Sequence, residues 1–269
     1  MAVELTPGGA NDDAGYRITS ASPLGSFTDI TLSCWVYFDV LPGVGNLFRV
    51  LHKKQPASPW LDDWFLSIDN NIVTVRIAAG ISLNGATVLT TGAWYHLAMT
   101  FNAGTDSLKL YVNGVQDASA TELNVIPNNT ATEFWIGYRG VLGAEVVNGK
   151  ICEVAVWAKE LLASQVYMLA QRIPPARVDM TSLRGDWPLY TDLATNPDYS
   201  GNVNNVTKFT EGTATVGPAN HLPMGPRFGF DLGWEGAFTA AAAVGQPTMR
   251  RWGLIPGMSP NRPVVGGIR

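Results

Sequence analysis

The chain has 269 residues, 46% of them hydrophobic and only 15% charged, with a net charge of -4. That length suits one large β-sandwich with extensions or two small domains, and the acidic balance argues against a general nucleic-acid or membrane-surface binder. No run is long enough to span a bilayer, and Met1-Ala2-Val3-Glu4-Leu5-Thr6-Pro7 lacks the basic start and apolar run of a secretory signal.

The 28 Gly, 17 Pro and 9 Trp point to turns and flat aromatic surfaces, which fit all-β architecture. From Ile30 to Phe38, residues Ile30, Leu32, Cys34, Val36 and Phe38 fall on one face, the period of a strand. Trp64 to Ile77 holds two apolar runs split by Asp69-Asn70-Asn71, which predicts a hairpin. Trp94 to Phe101 predicts another strand. Leu108 to Val112 leads into Asn113-Gly114, a pair that tolerates positive φ at both positions and favours a two-residue hairpin turn. Phe134-Trp135-Ile136 and Ile151 to Trp157 add two more strands.

Ser164 to Gln171 predicts one short helix, with Ala163, Val166, Leu169 and Ala170 as its apolar stripe and Pro174-Pro175 as its stop. Composition then changes. Residues 1–178 form the patterned part, 179–235 are turn-rich with two or three weak strands, and 236–269 read as an extended arm. Residues 245–269 hold no acid and carry Arg250, Arg251, Arg262 and Arg269. Cys34 and Cys152 each fall in a strand-like run. They are either two buried thiols or, if the strands are neighbours, one disulfide.

Several blocks resemble the laminin-G-like (pentraxin/concanavalin-like) jelly-roll family: Phe27 to Val36, Gly92 to Phe101, Leu108 to Gly114, Phe134 to Gly137, and Asn148 to Trp157. The resemblance spans roughly residues 15 to 173 and implies an all-β fold, a two-sheet antiparallel jelly-roll sandwich. A further block, Gly185-Asp186-Trp187-Pro188-Leu189 with Asp198-Tyr199-Ser200-Gly201-Asn202, resembles a segment that often opens such domains. Here it follows the domain, and it is expected to dock back as an edge strand. With His221 to Pro226 after it, the arrangement resembles bacteriophage structural proteins.

Hydrolases of this fold place carboxylates at alternate positions of one strand. The nearest analogue is Glu153-Ala155-Trp157, where the partner acid is missing, so Glu153 reads as a strand-end or solvent-facing residue and no catalytic residue is expected. His52, His96 and His221 are isolated, with no metal-ligand spacing. His96 suits a structural hydrogen bond. Neither a phosphate loop nor a Ser-centred elbow is present.

Trp60, Asp62, Asp63 and Trp64 suggest a glycan-binding loop, since aromatics stack on sugars and carboxylates hold hydroxyls. Alternatively the tryptophans pack on the core. The carboxylates of that loop could equally hold calcium, and Asp12-Asp13 is a second, weaker hint of the same ion; no other cofactor is implied. Asn128-Asn129-Thr130 and Asn205-Val206-Thr207 fit the glycosylation pattern and read as turns.

Three functions follow. The first is a non-enzymatic virion structural protein made in the host cytoplasm: a bacteriophage capsid decoration or cement protein, or a tail component. Its arm would dock on neighbouring subunits through Arg250, Arg251, Trp252, Leu254 and Ile255. Surface glycans and a second copy of the chain are further candidate partners. The alternative is a soluble glycan-binding module, and the third is an enzyme with an unrecognised site.

Overall fold

The structure, a computed structural model, describes residues 2–7, 14–19, 24–54, 62–78, 81–121, 133–138, 145–210 and 215–219. The chain divides into two units, 1–228 and 229–269, and the described residues all belong to the first.

In chain order the strands begin with β1 (Ala2–Thr6), β2 (Ala14–Ile18), β3 (Ile30–Phe38) and β4 (Leu47–Lys54). Then come β5 (Asp62–Asp69) and β6 (Ile72–Ala78), joined by Asn70-Asn71, both with positive φ. This turn matches the right-handed twist of its strands, as the hairpin expectation required. Next are β7 (Ile81–Val88), β8 (Trp94–Asn102), β9 (Ser107–Val112) and β10 (Val115–Ala120), the last two joined by Asn113-Gly114 at φ 52° and 80°. After β11 (Glu133–Ile136) and β12 (Gly149–Trp157) come the helices α1 (Ala163–Ala170) and α2 (Pro175–Val178). Pro174-Pro175 ends the first helical stretch as expected. Pro175 also opens α2 at N1, where its missing N–H costs nothing. The rest is β13 (Leu183–Trp187), β14 (Thr195–Asn196), β15 (Val206–Thr210) and β16 (Thr215–Ala219).

These strands form two antiparallel sheets. Sheet A runs β10-β9-β8-β3-β12-β1-β16, and sheet B runs β14-β15-β2-β11-β4-β5-β6-β7. The segment after residue 178 contributes to both. β13 lies beside residues 154–157 of β12, and β1 lies beside residues 149–151 of the same strand. β15 pairs with β2, and β16 with β1. The fold is therefore the two-sheet jelly-roll sandwich that the pattern implied.

The inner faces make the core. Ile30, Leu32, Cys34, Val36 and Phe38 meet Val50, Leu66, Ile68, Val73, Val75 and Phe134. Each large apolar side chain so buried contributes roughly 1.5–3 kcal/mol. The outer face of sheet A is covered as well. Val166 and Leu169 of α1 pack on Ala98, Tyr111, Ala155 and Trp157. That is why β3 is buried on both faces. At one edge the two sheets are tied by Asp117 of β10, which accepts hydrogen bonds from the Ala86 and Thr87 amides and the Thr87 hydroxyl of β7.

The register also settles the cysteines. β3 and β12 are neighbours, but Cys152 stands opposite Trp35 on the outer face while Cys34 points into the core. A one-residue offset places the two thiols on opposite faces of one sheet. Both are free and buried, and burial pushes each thiol well above its usual range.

Candidate functional site

Three regions carry enough polar chemistry to be weighed. The first lies on the outer face of sheet A, partly under α1. Ser33 Oγ and His96 Nε2 share a 2.9 Å hydrogen bond. The His96 ring is fully buried, and desolvation lowers its pKa to about 3. His96 is thus a neutral structural residue, in keeping with its expected role.

Glu153 corrects the sequence reading. It is neither strand-terminal nor solvent-facing, but sits in a mid-strand bulge of β12 with φ 51°. A bulge re-aims its side chain. The carboxylate takes Arg172 Nη2 at 3.1 Å and the Tyr190 hydroxyl at 3.0 Å. Nearby, Asp186 is buried, and desolvation followed by the charges of Asp198 and Glu153 raises its pKa to about 7. Acid, base and nucleophile types are all present, yet the void lined by Ser33, Trp35, His96 and Glu153 is only about 10 Å³. It has room for at most one water. Among the described residues this void is too small for a substrate.

The second region is the outer face of sheet B. Its register aligns Thr207, Arg17, Trp135, His52, Phe65, Arg76 and Ser82 in one row across six strand pairings. The rings would suit a sugar, but the protein already occupies them. Arg49 lies 3.6 Å from the Phe65 centroid, and Arg17 lies 5.1 Å from that of Trp135 and 4.5 Å from that of Phe209. Tyr138 stacks on Phe209 and meets Trp135 edge-on. Cation–π contacts and ring pairs hold this face together.

The third region is an open cleft of about 340 Å³ beside the β2–β3 connection, where the chain crosses between the sheets, lined also by β13 and the β14–β15 loop. Leu24, Gly25, Ser26, Arg184, Asn202 and Asn204 line it. Its walls are built by one hub. Asp198 accepts from the amides of Asp186, Ser200 and Asn204 and from the Ser200 hydroxyl, while its own amide donates to Asn205 Oδ1. Asn202 Nδ2 donates to the Leu183 carbonyl, and Asn204 Nδ2 to the Arg184 carbonyl. The Asn204 carbonyl accepts from the Trp187 indole, whose ring stacks on Phe134 in the core. Gly185 is required beside it, because a Cβ there would collide with the Trp187 ring. The loop is thus anchored to the core and preorganised.

What remains unspent in the cleft is the useful part. Among the described residues, the Arg184 guanidinium makes no hydrogen bond or ion pair, and the side-chain carbonyls of Asn202 and Asn204 accept none. The Ser26 hydroxyl is also without a partner there and is exposed. One cation, two acceptors and a hydroxyl can orient a polyhydroxylated ligand. A larger cleft of about 410 Å³ is lined by Val40, Leu41, Pro42, Leu47, Phe48 and Glu145 among others. It is less apt, because its acid is already bonded to Arg49 at 2.7 Å.

The residues singled out from the sequence fall elsewhere. Trp64 is not a ligand platform. Its ring is wholly buried, 6.2 Å from Phe27 and 5.6 Å from Phe134, because the pleat of β5 turns it inward. The side chains of Asp62 and Asp63, with Trp60, Asp12, Asp13, His221, Asn128 and the arm anchors Arg250, Arg251, Trp252, Leu254 and Ile255, lie outside the described residues. Asn205 is spent on Asp198. Among the described residues no three His, Cys, Asp or Glu side chains are grouped to hold a metal, and no helix is long and apolar enough to cross a membrane. Arg184 and Asn204 carry no sequence signal of a site, because they lie twenty residues apart and resemble ordinary strand and turn residues, while Asn202 closes the Asp198 to Asn202 block. That block was the available signal.

Comparison with known proteins agrees with this architecture. A protein from Bacteroides ovatus ATCC 8483, named for carbohydrate binding, superposes with a TM-score of 0.58 at 19% identity, covering 78% of this chain. This chain spans only 60% of that protein's length. The heptameric SAP-like pentraxin of Limulus polyphemus superposes with a TM-score of 0.56 at 14% identity, over 81% of this chain and 95% of its own. No curated protein matches the sequence. The family described as the Concanavalin A-like lectin/glucanases superfamily (Laminin_G_3) matches residues 10–167. That is more than half of the chain, and the chain belongs to this superfamily.

Proposed function

We propose that this chain is a non-catalytic carbohydrate-binding module that holds a short glycan in the crossover cleft. The observation that carries the reading is the unspent polar set of Arg184, Asn202, Asn204 and Ser26 on a loop fixed to the core. The fold family and the similarity to a protein named for carbohydrate binding support it. The described lining offers no carboxylate, whereas two-carboxylate hydrolysis needs a pair of acids flanking the bond. A volume of about 340 Å³ is near the lower end of ligand pockets, so the cleft suits one or two sugar rings and not a long polymer.

The virion reading rests on the composition of residues 236–269 and on the resemblance of the 185–226 arrangement to bacteriophage structural proteins, whereas the fold family and the similarity to a protein named for carbohydrate binding favour the glycan reading. A glycan array tests it. Ser26→Trp at this exposed position should fill the cleft without unfolding the protein, and binding should disappear. If Ser26→Trp binds the same glycans as the parent, the cleft is not the site.

A further inference from the structure

We infer that the crossover cleft selects glycans ending in a carboxylate-bearing sugar, a uronate or a sialate, and that Arg184 reads the carboxylate. The inference rests on the cleft being the glycan site and adds the ligand class. Arg184 is the only charged side chain among the described residues of the lining. It projects from β13, is half-buried, and makes no ion pair or side-chain hydrogen bond among the described residues. The chain carries 22 acids against 18 bases, and none of the described acids pairs with it. The nearby acid of this loop, Asp198, is engaged by three donors of its own loop and by the Asp186 amide of β13.

The geometry of the backbone adds a second argument. The carbonyl of Arg184 is fixed by the side-chain amides of Asn204 at 2.8 Å and Asn202 at 3.4 Å. The residue bearing the cation is therefore held by the residues that offer the two free acceptors. A guanidinium presents a planar fork of donors that matches a carboxylate through two parallel hydrogen bonds. Amide oxygens cannot serve an anion, but they accept from sugar hydroxyls. One acidic group beside several hydroxyls on a single ring satisfies both. A neutral sugar would leave the cation unmatched, and a simple anion would leave the acceptors unused.

The test uses the full chain and matched ligands in isothermal titration calorimetry. The probes are a glucuronate-terminated oligosaccharide, a sialate-terminated one, and the methyl ester of each. The acid that binds should bind at least tenfold more tightly than its own ester, and its affinity should fall as sodium chloride is raised. Arg184→Gln should make acid and ester equal. Arg184→Lys keeps the charge but loses the fork, and should recover only part of the preference. Which of the two acids binds identifies the source of the carboxylate. If an acid and its ester bind the parent equally, or if Arg184→Gln keeps the preference, the inference fails while the cleft reading stands. If none of the four probes binds but a neutral glycan does, and Ser26→Trp abolishes that binding, the inference fails again and the cleft survives. If glycans bind and Ser26→Trp changes nothing, both fail.

Discussion

The polar cluster on the outer face of sheet A and the crossover cleft contain similar residue types with opposite consequences. Under and beside α1, Ser33 meets His96, and Glu153 meets Arg172 and Tyr190. In the cleft, Arg184, Asn202 and Asn204 retain open valences beside about 340 Å³ of accessible space. The first set stabilises a fold, and the second can recognise something. Residue chemistry alone does not separate them. Space and unspent hydrogen-bonding capacity do.

Perturbations that strike one region and spare the other sharpen this contrast. The largest effect concerns Asp186. Its pKa of about 7 lies above the ordinary carboxylate value, mainly because burial disfavours the charged form. The folded state therefore holds a proton that the unfolded chain has released between about pH 4 and 7. Stability from this group falls as pH rises through that window. Asp186→Asn should be nearly neutral at pH 4 and stabilising above pH 7, by up to about 4 kcal/mol from the size of the shift. Urea unfolding at both pH values measures it. A difference that does not grow with pH would contradict the assignment.

Next in size is Arg172→Ala, which leaves the Glu153 carboxylate largely buried with its cation gone. The expected loss is about 3 kcal/mol. The double variant Glu153→Gln/Arg172→Met should lose less than Arg172→Ala alone. Glycan binding of the folded fraction should persist in both.

Asp198→Ala should cost about 2 kcal/mol, because four donors lose one acceptor. Here glycan affinity should fall as well, since the loop bearing Asn202 and Asn204 loses its hub. A variant with reduced stability and unchanged affinity would show that the hub does not shape the site. The smallest effect is at the thiols. A reducing agent should leave Tm unchanged, because Cys34 and Cys152 lie on opposite faces of sheet A.

The sequence made the central strands legible for a physical reason. β3, β8, β9 and β12 carry dense β-formers, and Asn113-Gly114 admits few backbone alternatives. The short strands β1, β2, β15 and β16 were not visible individually. Each has five residues and acquires its identity only from partners far away in the chain. Glu153 was misread because strict alternation cannot anticipate a bulge. Trp64 takes the second of the two readings its motif allows, packing on the core, and the sequence could not decide between them because its partners, Phe27 and Phe134, lie far from it in the chain. The cleft was obscure for the same reason. Leu24, Arg184 and Asn204 meet only after the chain has passed through both sheets.

The most direct test of the account is a two-dimensional amide NMR titration with the tightest glycan from the array. The account predicts saturable shifts concentrated at Gly25, Ser26, Arg184, Asn202 and Asn204, with His96 and Glu153 unmoved. Shifts confined to the sheet B face around Phe65 and Trp135, with the crossover loop silent, would contradict it.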